Sequence, residues 1–365
     1  MPWYAAKPIS GHWGWHWTMN HFDPEQSIAG RRQIASKLSP AIDPYDSSDP
    51  DVLEYHLLLM KLSGIDGIIV DWYGLSDAND YAALHRNTTL LIDMAETLGL
   101  SFAICYEDRT VLELEKQGRL PLGRAAHAAS ELRWLGEHWF SREHYVHHAG
   151  QPLLLSFGVA NLTDDEWQET LRQANIPIAY VSQAARRPTA AGVFDWPVPS
   201  QGIAAQSRFV RETSSEPLAI PVAFPRFTDI YEQARLHASY GDIPDDHGRT
   251  FATTLTRAVT AGKPFVQIAT WNDWGEGTSI EPSVEFGTRD LEVIQKVRRQ
   301  HIDPAFPHTP EALALPLKLL HLHRDNAADP ATLNRIALLL AHGDIVAATQ
   351  LITSLSTTPP HAASR

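Results

Sequence analysis

The chain has one cysteine, Cys105, in 365 residues. That excludes an intrachain disulfide and fits a reducing compartment. No apolar run approaches the length of a membrane span. Nor does a basic stretch followed by a short apolar one open the sequence, as an export signal would. As written, the sequence points to the cytoplasm, with export left open if the true start lies upstream. Positive charge is scarce: 30 basic side chains face 43 acidic ones, for a formal net charge of -13, and no Lys/Arg cluster stands out. Nucleic-acid binding needs local positive charge and is therefore disfavoured. The acidic surface instead keeps the protein in solution. A glycine-rich phosphate loop after the first strand is also lacking, which speaks against a nucleotide crevice and an open doubly wound sheet.

What is present is a large apolar fraction, 44% of residues, and 11 tryptophans. The first is enough for a large core. The second supplies flat faces that suit both packing and sugar stacking. Short apolar runs recur at Gly67–Gly74, Ser101–Asp108, Pro152–Gly158, Ile178–Ser182, Gly192–Trp196, Leu218–Phe224 and Pro264–Trp271, and read as parallel strands covered on both faces. An eighth is expected somewhere in Trp3–Trp17. Helices fit most gaps. Asp49-Pro50 offers an N-cap and a first-turn proline, and Gly64 a stop, around Val52, Tyr55, His56, Leu59 and Met60. Tyr81–Leu98, Phe251–Ala261 and Leu291–His301 follow the same period. The pattern predicts an α/β chain, a (β/α)8 TIM barrel over residues 1–304. A small C-terminal helical appendage over 305–356, built from Leu313–His323, Pro330–Leu340 and Ile345–Leu355, and a flexible tail over 357–365 complete the expected organisation.

In such a barrel the reactive groups lie at the carboxyl ends of the strands. Here those ends read Asp71-Trp72-Tyr73, Glu107-Asp108, Asp195-Trp196, Arg226 and Trp271-Asn272-Asp273-Trp274-Gly275-Glu276. Acids beside aromatics suit an uncharged polyhydroxylated ligand: hydroxyls need acceptors, and a pyranose needs an aromatic plate. The densest element, Trp271–Pro282, packs three carboxylates, two indoles and two glycines into twelve residues. Glycosidic cleavage needs a proton for the leaving oxygen and a second carboxylate to activate a nucleophile. Asp273 and Glu276 are close enough to share that work, with mutual repulsion and burial holding one of them protonated. The plainer alternative is that these acids cap helices or pair with arginines. His16 and Trp17, near the first strand, join the expected sugar contacts, as does Glu281.

The segment Trp271–Glu276 resembles the Trp-Asn-acid-aromatic-x-Glu signature of glycoside hydrolase families 99 and 71. Gly11–Phe22, Tyr45–Tyr73, Phe102–Asp108 and Phe194–Pro197 resemble the same barrels, so the likeness covers most of residues 1–300 and leaves out the C-terminal helices. The resemblance implies an endo-acting hydrolase of an α-linked oligosaccharide or polysaccharide, of the α-mannoside or α-1,3-glucan type, with no cofactor. By position Glu276 matches the acid/base and Asp273 the partner carboxylate. Family 99 usually carries glutamate where Asp273 stands, whereas family 71 has aspartate. For an α-mannoside, Asp273 is then expected to deprotonate the 2-hydroxyl for attack at the anomeric carbon. For an α-glucoside it must activate water or attack directly.

Two rival readings stand beside this one. A metal-dependent barrel hydrolase would need His-x-His at the first strand end, whereas His12 and His16 have three residues between them, and the other strand ends lack histidine. The second rival is a catalytically inactive barrel that binds carbohydrate or serves as a scaffold.

Overall fold

The computed structural model describes residues 2–158 and 161–356. The expected tail, 357–365, lies outside the described residues. Seven parallel staves form where the apolar runs predict them. Gly67–Trp72, Ser101–Glu107, Gln151–Phe157, Ala179–Gln183, Gly192–Phe194 and Ala219–Ile220 follow one another in a continuous sheet. The sixth stave resumes after Pro221 as Val222–Ala223, which pairs in parallel with Gln267–Ile268. Register climbs steadily, with Gly67 opposite Ser101 and Trp72 opposite Tyr106, then Cys105 opposite Leu155. The arc curls into an α/β barrel with helices on its outer face.

The helices form for the reasons the sequence offers. In Pro50–Ser63 the Asp49 side chain accepts a hydrogen bond from the Asp51 amide, and Gly64 ends the helix at φ 95°. A left-handed residue costs little there because glycine has no Cβ. Asp164–Ala174 starts with a full capping box between Thr163 and Glu166. No helix separates Gln183 from Gly192, so that crossover is a plain loop.

One expectation is corrected. Among the described residues no strand lies in Trp3–Trp17. The chain there bonds to the loop before the first long helix instead: the Tyr4 amide donates to Ser47 Oγ at 3.0 Å and the Ala6 amide to Asp46 Oδ2 at 2.9 Å. It then forms one short turn of helix, Trp15–Thr18. The place of the eighth stave is thus an open seam between Gln267–Ile268 and Gly67–Trp72. The C-terminal helices Leu315–Arg324, Pro330–Ala341 and Ile345–Ser356 do form. They share a core with the barrel, with Leu319, Ile336 and Leu340 packed against Leu57, Leu58 and Met60. No helix of the described residues is long and apolar enough to cross a membrane.

Candidate active site

A cavity of about 1190 Å³ opens at the carboxyl ends of the staves and runs down the barrel interior. Strand geometry decides which strand-end residues reach it, because successive side chains point to opposite faces. Asp71 and Tyr73 line the cavity. Trp72, between them, points outward and is fully buried against Trp134 and Trp139, its Nε1 donating to His85 Nδ1 at 3.2 Å. Glu107 faces the cavity. Asp108 turns away and accepts hydrogen bonds from Asn161 Nδ2 at 2.7 Å, Trp167 Nε1 at 3.2 Å and the Leu162 amide at 3.3 Å. Trp196 lines the cavity but Asp195 does not. The expectation that Trp72, Asp108 and Asp195 contact sugar is therefore corrected. Reading each strand end as one cluster ignored the two-residue period.

The segment after the last stave is held by hydrogen bonds rather than by a ladder. The Asp273 amide donates to Thr270 Oγ1 at 2.8 Å, and Asp273 Oδ1 accepts from the Glu276 amide at 3.0 Å. Tyr4 Oη donates to the Asn272 carbonyl at 2.8 Å. Tyr45 Oη donates to Glu281 Oε2 at 2.6 Å and accepts from Asn272 Nδ2 at 3.0 Å and Trp274 Nε1 at 3.3 Å. Asn272 and Trp271 border the cavity. Four more expected sugar contacts, Trp274, Glu281, Trp17 and Arg226, are corrected here. Trp274 is fully buried in the core. Glu281 lies behind Tyr45, with its Oε1 3.1 Å from His56 Nε2. Trp17 is fully buried, tilted on Tyr4 with its Nε1 donating to the Tyr45 carbonyl at 2.8 Å. Arg226 is a structural cation: it pairs with Asp245 and Asp290, donates to the Ser279 carbonyl at 2.8 Å and sits 4.1 Å over the Phe286 ring. His16 stacks on Trp3 at 4.1 Å, and it is Trp3 that borders the cavity. Burial drives the His16 pKa down to about 3, so the ring is neutral.

Four carboxyls thus face one chamber: Asp71, Glu107, Asp273 and Glu276. Burial raises all four, since it penalises the charged form. Asp273 rises to about 6, opposed by the amides of Glu276 and Gly275. Glu276 is pushed well above the usual range by burial, then by the charges of Asp273 and Asp229, with a hydrogen bond from Tyr231 working the other way. Asp71 rises to about 7, and Glu107 to about 9, where burial is reinforced by the charges of Asp71 and Asp108. Near neutral pH the arrangement therefore favours an ionised Asp273 beside a protonated Glu276. Tyr231 Oη lies 3.5 Å from Glu276 Oε1.

Tyr231, Tyr240, Phe157 and Trp3 also line the cavity and were missed in the sequence. The only signal for Tyr231 was its place five residues after Arg226, in the segment that follows a strand. Among the described residues no group of three or more His, Cys, Asp or Glu side chains is placed to hold a metal ion.

The fold and the chamber define a (β/α) barrel with clustered carboxyls at the carboxyl ends of its staves. Solved structures of the GH99 endo-alpha-mannosidase from Bacteroides thetaiotaomicron have the same fold: one superposes with a TM-score of 0.62 at 17% identity, covering 82% of this chain and 96% of that one. In sequence the chain is similar to the glycoprotein endo-alpha-1,2-mannosidase-like protein of Danio rerio, at 23% identity over 349 residues, or 85% of this chain and 73% of the relative. The Mus musculus protein of the same description is 34% identical over 89 residues, 21% of this chain. That match spans only 20% of the mouse relative's length. No family model matches the chain. The likeness is to family 99; the resemblance to family 71 rests on the sequence motif alone.

Proposed function

We propose that this protein is a family 99-like glycoside hydrolase that cleaves inside an α-mannoside chain, with Glu276 as acid and Asp273 as base. The observation that carries the proposal is the unequal environment of two neighbouring carboxyls, Asp273 buried and Glu276 half-buried, at the mouth of one chamber. An ionised Asp273 removes the proton of the sugar 2-hydroxyl. That oxygen attacks the anomeric carbon from behind, and the glycosidic bond breaks toward the leaving oxygen. Glu276 donates its proton there, so the leaving sugar departs neutral. Water then opens the 1,2-anhydro ring, with the two carboxyls exchanging roles. The Bacteroides thetaiotaomicron protein is described as an endo-alpha-mannosidase, and the Danio rerio and Mus musculus relatives as endo-alpha-1,2-mannosidase-like proteins. That description favours the mannoside over the glucan. The chamber, with its aromatic walls at Trp196, Tyr73 and Tyr231, suits an oligosaccharide.

The second reading is a barrel that binds such glycans without cleaving them. It is favoured by Asp273 itself, whose carboxylate stands about one bond length, ~1.5 Å, further back than a glutamate would and has one oxygen tied to the Glu276 amide. One assay separates the two readings: α-mannan oligosaccharides are incubated with the protein and the product anomers are followed by NMR. The hydrolase reading expects turnover that Glu276→Gln abolishes. Calorimetric binding with no product after long incubation selects the second reading.

A further inference from the structure

One buried ionic contact has no part in the chemistry above. His56 occupies the apolar stripe of Pro50–Ser63, one turn after Val52 and one before Met60. It is 4% exposed, and Glu281 is 2% exposed. His56 Nε2 and Glu281 Oε1 stand 3.1 Å apart, and neither atom has another hydrogen-bond partner among the described residues. No lysine or arginine among those residues pairs with Glu281. A buried carboxylate oxygen with nothing opposite it is costly, so the imidazole is what matches this one. The same ring packs edge-on against Tyr45 at 4.9 Å and Trp271 at 5.7 Å. His56 therefore backs the segment that carries Asp273 and Glu276.

The hydrogen bonds around Tyr45 fix where its proton lies. Asn272 Nδ2 and Trp274 Nε1 can only donate, and both reach Tyr45 Oη, at 3.0 and 3.3 Å. The hydroxyl accepts both and gives its own proton, at 2.6 Å, to Glu281 Oε2. Oε2 must then be free of a proton. A proton shared between Oε1 and His56 Nε2, on either atom, keeps it so without leaving a bare buried charge. Without the imidazole Glu281 has two states: an unmatched charge, or a proton on Oε2. The second turns the Tyr45 hydrogen toward two N–H groups and breaks both of their bonds. We propose that His56 is a positioning residue for the carboxyl pair: through Glu281 and Tyr45 it holds Asn272, and with it the Asp273 backbone, in place. Asn272 is fastened at both ends, its side chain to Tyr45 and its carbonyl to Tyr4 Oη at 2.8 Å, and Asp273 follows directly. Asp273 Oδ1 depends on that placement, because it accepts from the Glu276 amide at 3.0 Å. The role rests on the hydrolase reading, which gives the pair its work.

The test compares His56→Leu with His56→Gln in the full chain. Glutamine offers Oε1 an amide N–H, whereas leucine fills the space with none. Leucine is expected to lower kcat on α-mannan oligosaccharides roughly tenfold or more, with KM within about twofold, since the pair moves and the sugar contacts do not. Glutamine is expected to hold kcat within about threefold of the wild type. Selective 13C labelling of aspartate, with Asp273→Asn to identify the signal, follows the Asp273 carboxyl without any turnover. Burial lifts that carboxyl to about 6 against the pull of the Glu276 and Gly275 amides. Loosening those amides in His56→Leu should raise its midpoint by a further half a pH unit, roughly, or more, and glutamine should return it. If leucine does not fold, His56→Asn, one methylene too short to reach Oε1, takes its place. Equal kcat in the two variants overturns the proposal, as does an Asp273 midpoint that stays put in both. A wild-type chain that turns over no glycan sinks the hydrolase reading instead, and the Asp273 midpoint then decides on His56 alone.

Discussion

The two sides of the barrel are built by different means. From Gly67 to Phe194 the staves are ordered by continuous parallel ladders. From Ala219 round to Tyr4 the paired stretches shrink to two residues each. Position is kept there by buried side chains: Tyr4, Tyr45, Thr270, Arg226 and Gln206, whose Nε2 donates to the Val222 and Thr254 carbonyls at 2.7 Å each. The laddered side contributes Asp71 and Glu107 to the chamber, and the networked side contributes Asp273, Glu276 and Tyr231. A ladder fixes a side chain to the strand's period and direction. A network lets the backbone depart from that period, which is how Asp273 and Glu276, three residues apart, come to face one space. The proposed chemistry sits on the side where geometry is freer and each contact matters more.

The largest expected effect tests whether the two acid pairs differ in role. Glu276→Gln should lower turnover of α-mannan oligosaccharides by roughly 10²–10⁴-fold, with an unchanged circular dichroism spectrum. Asp71→Asn should cost roughly tenfold or less, mainly in KM, because it faces the sugar without moving a proton. Equal losses at both sites would erase the distinction. Next comes Arg226→Met on the networked side. It leaves Asp290, which is 3% exposed, without its main cation and should cost about 3–5 kcal/mol in urea unfolding. A loss under about 1 kcal/mol, the value of an exposed pair, would show that the network does not hold this side.

The same division explains what the sequence disclosed. The laddered staves were legible as apolar runs, and their boundaries held to within a residue or two at Ser101–Glu107 and Gln151–Phe157. The carboxyls were legible too, because Asp71, Glu107, Asp273 and Glu276 stand at strand ends. Misreadings arose where a side chain's partner lies far off in sequence or on the other face. Arg226 meets Asp290 across 64 positions, and Tyr45 meets Asn272 across 227, so neither pairing leaves a local pattern. Trp17 and Trp274 carry the composition of a sugar plate, yet their indoles complete the Tyr4–Tyr45 cluster. Composition at a strand end says what a residue can do, and the two-residue period says which way it faces.

Tyr45→Phe sharpens the networked side at a finer scale. One hydroxyl serves Glu281, Asn272 and Trp274 at once. Its loss leaves buried partners unmatched and should cost about 1–3 kcal/mol. Because Asn272 precedes Asp273, the variant should also reduce turnover. An unfolding loss with no kinetic loss would separate the network's structural duty from its hold on the carboxyl pair.

The smallest effect concerns Asp195, the strand-end acid that turned away from the chamber. Its Oδ1 accepts from the Trp196 amide at 3.0 Å, while Oδ2 is buried without a donor. Burial lifts it from 3.8 to about 7, with the Trp196 amide and Arg208 pulling the other way. The folded chain therefore holds this proton more tightly than the unfolded chain. Between about pH 4 and pH 7 the folded state binds more protons, so the contribution to stability is full below pH 4 and is lost as pH rises through 7. Asparagine has no charge to bury. Asp195→Asn should thus gain on the order of 1 kcal/mol in urea unfolding at pH 8 and nothing at pH 4. A gain of equal size at both pH values would mean that packing, not ionisation, separates the two side chains. A loss at pH 8 would mean that the charged form has a partner, and that Asp195 belongs with the acids of the chamber after all.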